Sequence, residues 1–197
     1  MSGRLPRAIA EDRRGVTAVE FAVVAPVLIV GLVGMFDLGY NIYTDALLQG
    51  AIQKTARDST IEGAHNQAAA LDAKVADMVH KIAPKAVLTY ERKAYSSFGD
   101  VSQPEDFKDV NGDGACNDGE PFEDANGNGS WDRDRGLDGF GGARDAVLYT
   151  VTVDYPRLFP VFGVLGQSPD FQLVANTVLR NQPYNLQTQR ARTGNCT

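Results

Sequence analysis

The amino-acid sequence predicts an α+β protein: a long N-terminal helix, a second helix, a small antiparallel sheet and an acidic insert. Three observations predict it. From Phe21 to Phe36, sixteen residues (FAVVAPVLIVGLVGMF) pass without a charge, and helix formers continue beyond them with no proline before Pro84. The stretches 86–95, 145–155 and 171–180 are rich in β-branched and aromatic residues, the usual composition of strands. Between the first two, Asp100 to Asp138 holds twelve acids against three bases, although the whole 197-residue chain carries only −6. The acidity therefore belongs to one segment, and the negative balance argues against nucleic acid as a partner.

The N-terminal region reads in three parts. Residues 1–15 are polar and carry Arg4, Arg7, Arg13 and Arg14 against Glu11 and Asp12. The twenty-one residues from Val16 to Phe36 are interrupted only by Glu20. At ~1.5 Å per residue they span about 30 Å, enough to cross a hydrocarbon core. Basic flanks stay in the cytoplasm. The expected organisation is a cytoplasmic leader (1–15), a transmembrane and spine helix (16–62) and an exported domain (63–197) whose acidic insert spans 100–142. A cleaved secretory signal fits poorly, because no A-x-A site stands near Gly34–Gly39. Arg13–Arg14 suits a twin-arginine signal, but simple topology explains the pair as well. A plain uncleaved anchor asks for no acid inside its apolar run. The run GVTAVEF (15–21) contains one. Gly15 offers a peptidase a side-chain-free junction. A carboxylate such as that of Glu20 costs about 2.5–3.5 kcal/mol at a membrane centre and less near the interface. Cleavage after Gly15 would place the new ammonium of Val16 about one turn away, on the same chain or a neighbour.

Beyond the membrane the helix is expected to continue with an inward stripe at Leu38, Ile42, Ala46, Gln49, Ile52 and Ala56, and with Tyr40 and Tyr43 in an interfacial belt. Glu62–Gly63 breaks it. Asn66–Ala83 repeats apolar residues at Ala68, Leu71, Val75, Met78, Val79 and Ile82, a second amphipathic helix stopped before Pro84. His65 and His80 are read as exposed or capping residues rather than ligands. Of the three strands, 145–155 alternates most clearly, with Val147, Tyr149, Val151 and Val153 on one face. The apolar, proline-bounded stretch 157–167 reads as a short buried helix or turn, with contact to a membrane or partner as the alternative. A spine helix against a small sheet is an α+β layer arrangement.

Within the insert, Asp109 to Glu120 (DVNGDGACNDGE) has the spacing of a twelve-residue calcium loop. Asp109, Asn111 and Asp113 stand at positions 1, 3 and 5, Gly114 at 6 and Glu120 at 12. Ala115 would add its carbonyl, and Asn117 would act directly or through water. Alternating oxygens converge on one ion, glycine permits the sharp turn, and the final glutamate closes the shell bidentately. A second copy runs through Asp124, Asn126, Asn128 and Asp132, but its twelfth position is Arg135, which cannot bind a cation. Asp134 or Asp138 are the alternatives for that place, or Glu123 and Asp124 bridge the loops. Long flanking helices are lacking, which disfavours a calcium sensor. The expectation is a structural calcium loop similar in ligand pattern to dockerin or thrombospondin repeats. Its alternative is a solvated acidic loop without an ion. Cys116 and Cys196, the only cysteines, are too few for a disulfide scaffold or a four-cysteine zinc site. They are a candidate pair in an oxidising exterior, with free thiols or an intermolecular bridge as the alternatives.

The run G-VTAVEF followed by AVVAPVLIVGLVGMFDLGYNIY resembles the type IV prepilin class, and most closely the TadE-like pseudopilins of tight-adherence (Flp) pilus systems. Pro26, the exit Asp37–Leu38–Gly39 and, more weakly, the late stretch LVANTVLRNQPY (173–184) share that likeness. The resemblance implies cleavage after Gly15 by a prepilin peptidase, with Glu20 as the family's glutamate. It implies partners among other pilins or pseudopilins and the inner-membrane assembly platform. It places the chain as a single-pass protein of a bacterial inner membrane, with its C-terminal domain periplasmic or outside the cell within a pilus. A nucleophile elbow, P-loop, dinucleotide fingerprint and zinc-protease helix are all missing, so a non-enzymatic role in pilus assembly is expected. The rival from another class is a signal-anchored, calcium-binding surface domain unrelated to pili.

Overall fold

The computed structural model describes residues 16–59, 68–159, 163, 166, 168–181 and 192–197. They form two compact units, one comprising residues up to Ile42 with Arg157–Pro169, the other Tyr43–Pro156 with Asp170–Thr197. The N-terminal helix α1 runs continuously over Val16–Ser59, 44 residues with Pro26 inside. Leu, Val and Ala favour the helix, and the isolated glycines cost at most about 1 kcal/mol each.

In the first unit, the most apolar eighteen-residue stretch of α1 has none of its residues buried, and the helix is long and apolar enough to cross a membrane. Phe21, Val23, Val27, Met35 and Phe36 are all exposed. The face turned inward at the end of this stretch is polar. Asp37 is buried, its Oδ2 accepting from Arg157 at 2.8 Å and from Asn41 Nδ2 at 3.2 Å. This corrects the expected stripe: Leu38 and Ile42 are 60% and 61% exposed, and the buried face begins at Asp37 and Asn41 instead. The ion pair compensates the charge through Oδ2, while Oδ1 has no hydrogen-bond partner among the described residues; leucine and isoleucine face outward like the rest of the apolar run. Arg157 also ties its own segment together, with its backbone N–H donating to Pro169 O and its Nε to Ser168 O. Leu158 is exposed, and the remainder of the 157–167 reading lies largely outside the described residues.

In the second unit the inward face of α1 continues through Thr44, Leu48, Ala51, Ile52, Thr55 and Ala56. The second helix, α2, covers Ala68–His80 and buries Leu71, Val75 and Val79, the expected face. It ends before the predicted Ala83 because Ile82 and Ala83 turn back onto Val79 O ahead of Pro84, and the predicted start at Asn66 lies outside the described residues. His80 is exposed, with Nε2 3.0 Å from Ala86 O; His65 lies outside the described residues.

Among the described residues six strands follow: β1 Val87–Tyr95, β2 Pro121–Asp124, β3 Leu137–Asp138, β4 Ala146–Pro156, β5 Asp170–Arg180 and β6 Arg192–Asn195. Four form an antiparallel sheet ordered β3-β1-β4-β5, and β2 pairs with β6 separately. On β4 the predicted alternation is seen, with Val147, Tyr149, Val151, Val153 and Tyr155 buried. Asp72 of α2 pins that face of the sheet. It accepts from both terminal nitrogens of Arg92, and its Oδ1 accepts from the Tyr149 hydroxyl at 2.7 Å. The Arg92 guanidinium also lies over the Tyr149 and Phe140 rings, 4.3 and 4.8 Å from their centroids.

Candidate functional site

The segment between β1 and β3 is a structural duplication with a period of fifteen residues. Asp109 Oδ1 accepts from Gly112 N and Oδ2 from Gly114 N; Asp124 Oδ1 accepts from Gly127 N and Oδ2 from Gly129 N. Asn111 Oδ1 accepts from Asp113 N, and Asn126 Oδ1 from Asn128 N. Asp113 Oδ1 takes Ala115 N as Asn128 Oδ1 takes Ser130 N. The four glycines sit at φ between 76° and 82°, the left-handed turn that side chains resist. Each loop thus folds an alternating Asp/Asn row around its own backbone amides. Asn117 closes the first row by donating to Asp113, and Asp132 closes the second by accepting from Asn126 and Asn128. Hydrogen bonds from Asn117, Ala115 and Asn111 hold the Asp113 carboxyl below its ordinary range.

The closing glutamates are exchanged between the two copies. Glu120 Oε1 accepts from Val110 N at 2.6 Å and Oε2 from Asn117 N, positions 2 and 9 of the first loop. In the second loop the same positions, Ala125 N and Asp132 N, donate to Glu105 Oε1 and Oε2 at 2.8 and 3.0 Å. Glu105 and Glu120 are 1% and 4% exposed. They stand at equivalent places in the repeated E-x-F-x-D of EDFKD (105–109) and EPFED (120–124). An antiparallel bridge between Phe107 and Phe122 lies at the centre, flanked by Lys108 N to Pro121 O and Glu123 N to Asp106 O. A shift of fifteen converts one bond into the other, so the copies are related by a local two-fold.

Glu105 replaces the residues considered for the second loop. Arg135 instead donates to Pro104 O and Asp106. Asp134 accepts from Lys93 and Tyr95, Asp138 pairs with Lys93 in β3, and Glu123 faces Thr193 in the β2–β6 ribbon. Glu105 precedes the loop by nineteen residues, so spacing downstream of Asp132 does not reveal this closing carboxylate. The doubled E-x-F-x-D is the signal that would have found it. At position 8, Cys116 is joined to Cys196 by a disulfide with Cα atoms 5.2 Å apart, while its counterpart Trp131 packs edge-on to Phe107 and donates to Glu105 O. The disulfide fastens β6, where Cys196 N donates to Glu120 O and Gly119 N to Cys196 O.

The oxygen-only donors, both glycine turns and the buried glutamates suit a hard cation such as calcium. Among the described residues, however, no group of three or more His, Cys, Asp or Glu side chains converges as a metal-holding cluster. The loop carboxylates are engaged by N–H groups.

At the other end of the chain, Glu20 is exposed near the start of α1, one turn from Val16. Gly15 and the leader lie outside the described residues. Among the described residues, α1 is the one helix long and apolar enough to cross a membrane. Residues 15–57 match the family model described as TadE-like protein, so the chain carries a TadE-like N-terminal segment beginning at Gly15. The likeness at 173–184 falls outside that match. No curated protein and no solved structure matches the chain.

Proposed function

We propose that this chain is a pseudopilin that serves assembly of a tight-adherence pilus from a bacterial inner membrane, and that it is not an enzyme. The observation that carries this reading is the TadE-like match starting at Gly15, on a helix whose apolar surface has no cover among the described residues. A prepilin peptidase removes residues 1–15. Glu20 then pairs with the Val16 ammonium of its own or a neighbouring chain and sets the depth at which helices pack against other pilins and the assembly platform. The C-terminal domain is carried outside the membrane, where its duplicated loop binds calcium structurally with extracellular-type affinity of about 10⁻⁴–10⁻³ M. Asp109, Asn111, Asp113, the Ala115 carbonyl, Asn117 and Glu120 hold one ion. Asp124, Asn126, Asn128, Asp132 and Glu105 hold the second.

Mass spectrometry of the mature N-terminus tests the processing. The chain should begin at Val16 in cells with a prepilin peptidase and at Met1 without it. A chain that keeps residues 1–15 in both refutes the pseudopilin reading and leaves a signal-anchored surface domain. For the metal, Trp131 is the single tryptophan and sits inside the second loop. Its fluorescence should change with millimolar calcium and revert with EDTA. A flat titration, together with unchanged protease sensitivity of residues 109–134, refutes the calcium reading alone.

A further inference from the structure

Strand β5 ends the four-stranded sheet, and among the described residues no strand pairs with its outer edge. It is eleven residues long, with no proline and no charge between Asp170 and Arg180. Folded proteins usually blunt such an edge with lysine, proline, a bulge or a short strand, because its open N–H and C=O groups template pairing with another chain. The opposite side of this sheet follows that rule. There β1 carries Glu91, Arg92 and Lys93 and is capped by the two-residue β3. β5 lacks these protections, and Val174 is 54% exposed while Phe171, Leu173, Val178 and Leu179 are only half-buried.

The charges at its two ends identify the occupant. Antiparallel pairing of β5 with itself, centred on Ala175, sets Asp170 opposite Arg180 of the second copy at both ends of the ladder. Between them Phe171 meets Leu179, Leu173 meets Thr177 and Val174 meets Asn176. Directly opposed side chains have Cβ atoms ~4.5–5.5 Å apart, so both charge pairs are favourable and no like charges meet. A two-fold at Ala175 is normal to the sheet. It keeps Phe171, Leu173, Ala175, Thr177 and Leu179 of both copies on one face, continuous with the buried face of β4. We infer that β5 is an interface at which two copies of this chain join their sheets edge to edge through an antiparallel β5–β5 ladder.

The test uses the full-length protein in detergent, with dimerisation followed by sedimentation, and three variants: Asp170→Lys, Arg180→Glu and the double exchange. Both positions are exposed at strand ends, but Arg180 Nε also donates to Arg144 O and Asp170 has a partner within the chain, so circular dichroism of each variant checks that the fold is kept. Each single reversal creates two like-charge pairs and should weaken the dimer roughly tenfold. The double exchange restores opposite charges across the ladder and should recover wild-type affinity within about threefold. A protein that stays monomeric overturns the inference. So does a dimer indifferent to the single reversals, as one held through the apolar part of α1 would be, or a double variant no better than the singles.

Discussion

Replacing Glu105 with alanine separates the two copies of the duplicated loop. The carboxylate is 1% exposed and holds the backbone N–H groups of Ala125 and Asp132 at 2.8 and 3.0 Å. Removing it strands two donors, each worth about 1–3 kcal/mol when left unpaired, and a charged acceptor strengthens what is lost. Water reaching the vacated space and relief from burying a carboxylate offset part of this, leaving roughly 2–4 kcal/mol of local destabilisation. That corresponds to amide exchange at Ala125 and Asp132 about 30- to 1,000-fold faster. Hydrogen exchange measured in EDTA by NMR or mass spectrometry reads it directly. Val110 and Asn117, held by Glu120, are the internal control and should change little. Glu120→Ala should produce the mirror image, exposing the first loop and sparing the second. Under the calcium reading, Glu105→Ala should also abolish the Trp131 response while the first loop still gains protection. Equal acceleration in both loops, or unchanged exchange at Ala125 and Asp132, would refute the exchanged-glutamate arrangement.

Three further outcomes follow from the packing. Arg157→Ala leaves the Asp37 carboxylate buried without its cation, which should cost about 3–5 kcal/mol; faster proteolysis at 157–159 would show it, with Arg157→Lys retaining part of the effect. Cys196→Ser opens a link across a sequence separation of 80, a loss of roughly 4 kcal/mol in the chain-entropy account; β6 should become protease-sensitive while the four-stranded sheet persists, and an unaltered melting temperature would contradict this. The third concerns alkaline pH. Tyr149 ionises well above its ordinary range because it is buried and donates to Asp72; burial, reinforced by Asp72, also raises Tyr90, and burial with a bond to Asp134 raises Tyr95. A folded-state pKa raised in this way supports the fold below the unfolded value near 10 and loses that support as pH rises toward the folded value. Stability should therefore fall above pH 10, by up to about 1.4 kcal/mol per pH unit for Tyr149 and by less for Tyr90 and Tyr95, and Tyr149→Phe should flatten the decline in a chemical-denaturation series across pH 9–12.

The elements were largely written in local pattern. Sixteen uncharged residues make α1 a helix whatever surrounds it, and alternation through Val147–Val153 makes β4 a strand with one buried face, because each depends on side-chain periodicity alone. The glycines and the Asp/Asn spacing of the insert likewise specify two similar turns. Periodicity misjudged the helix where its hydrophobic run ends. Leu38 and Ile42 look like core residues, yet Asp37 and Asn41 face inward, because an arginine 120 residues away supplies the charge that makes burial of Asp37 tolerable.

What the sequence by itself determined is therefore the helix able to cross a membrane, the three long strands β1, β4 and β5 (not the short β2, β3 and β6), the repeated loop and the Gly15–Glu20 signature, all properties of residues close together in the chain. Tertiary structure alone decided which carboxylate closes the second loop, that Cys116 and Cys196 lie side by side, and that β5 rather than β1 ends the sheet as a long uncharged edge. These depend on pairings across roughly 10–100 residues, and spacing along the chain cannot encode which of several chemically equivalent groups arrives first. Glu105 and Glu123 carry the same carboxylate. Only the antiparallel bridge of Phe107 with Phe122 turns the first of them toward the second loop.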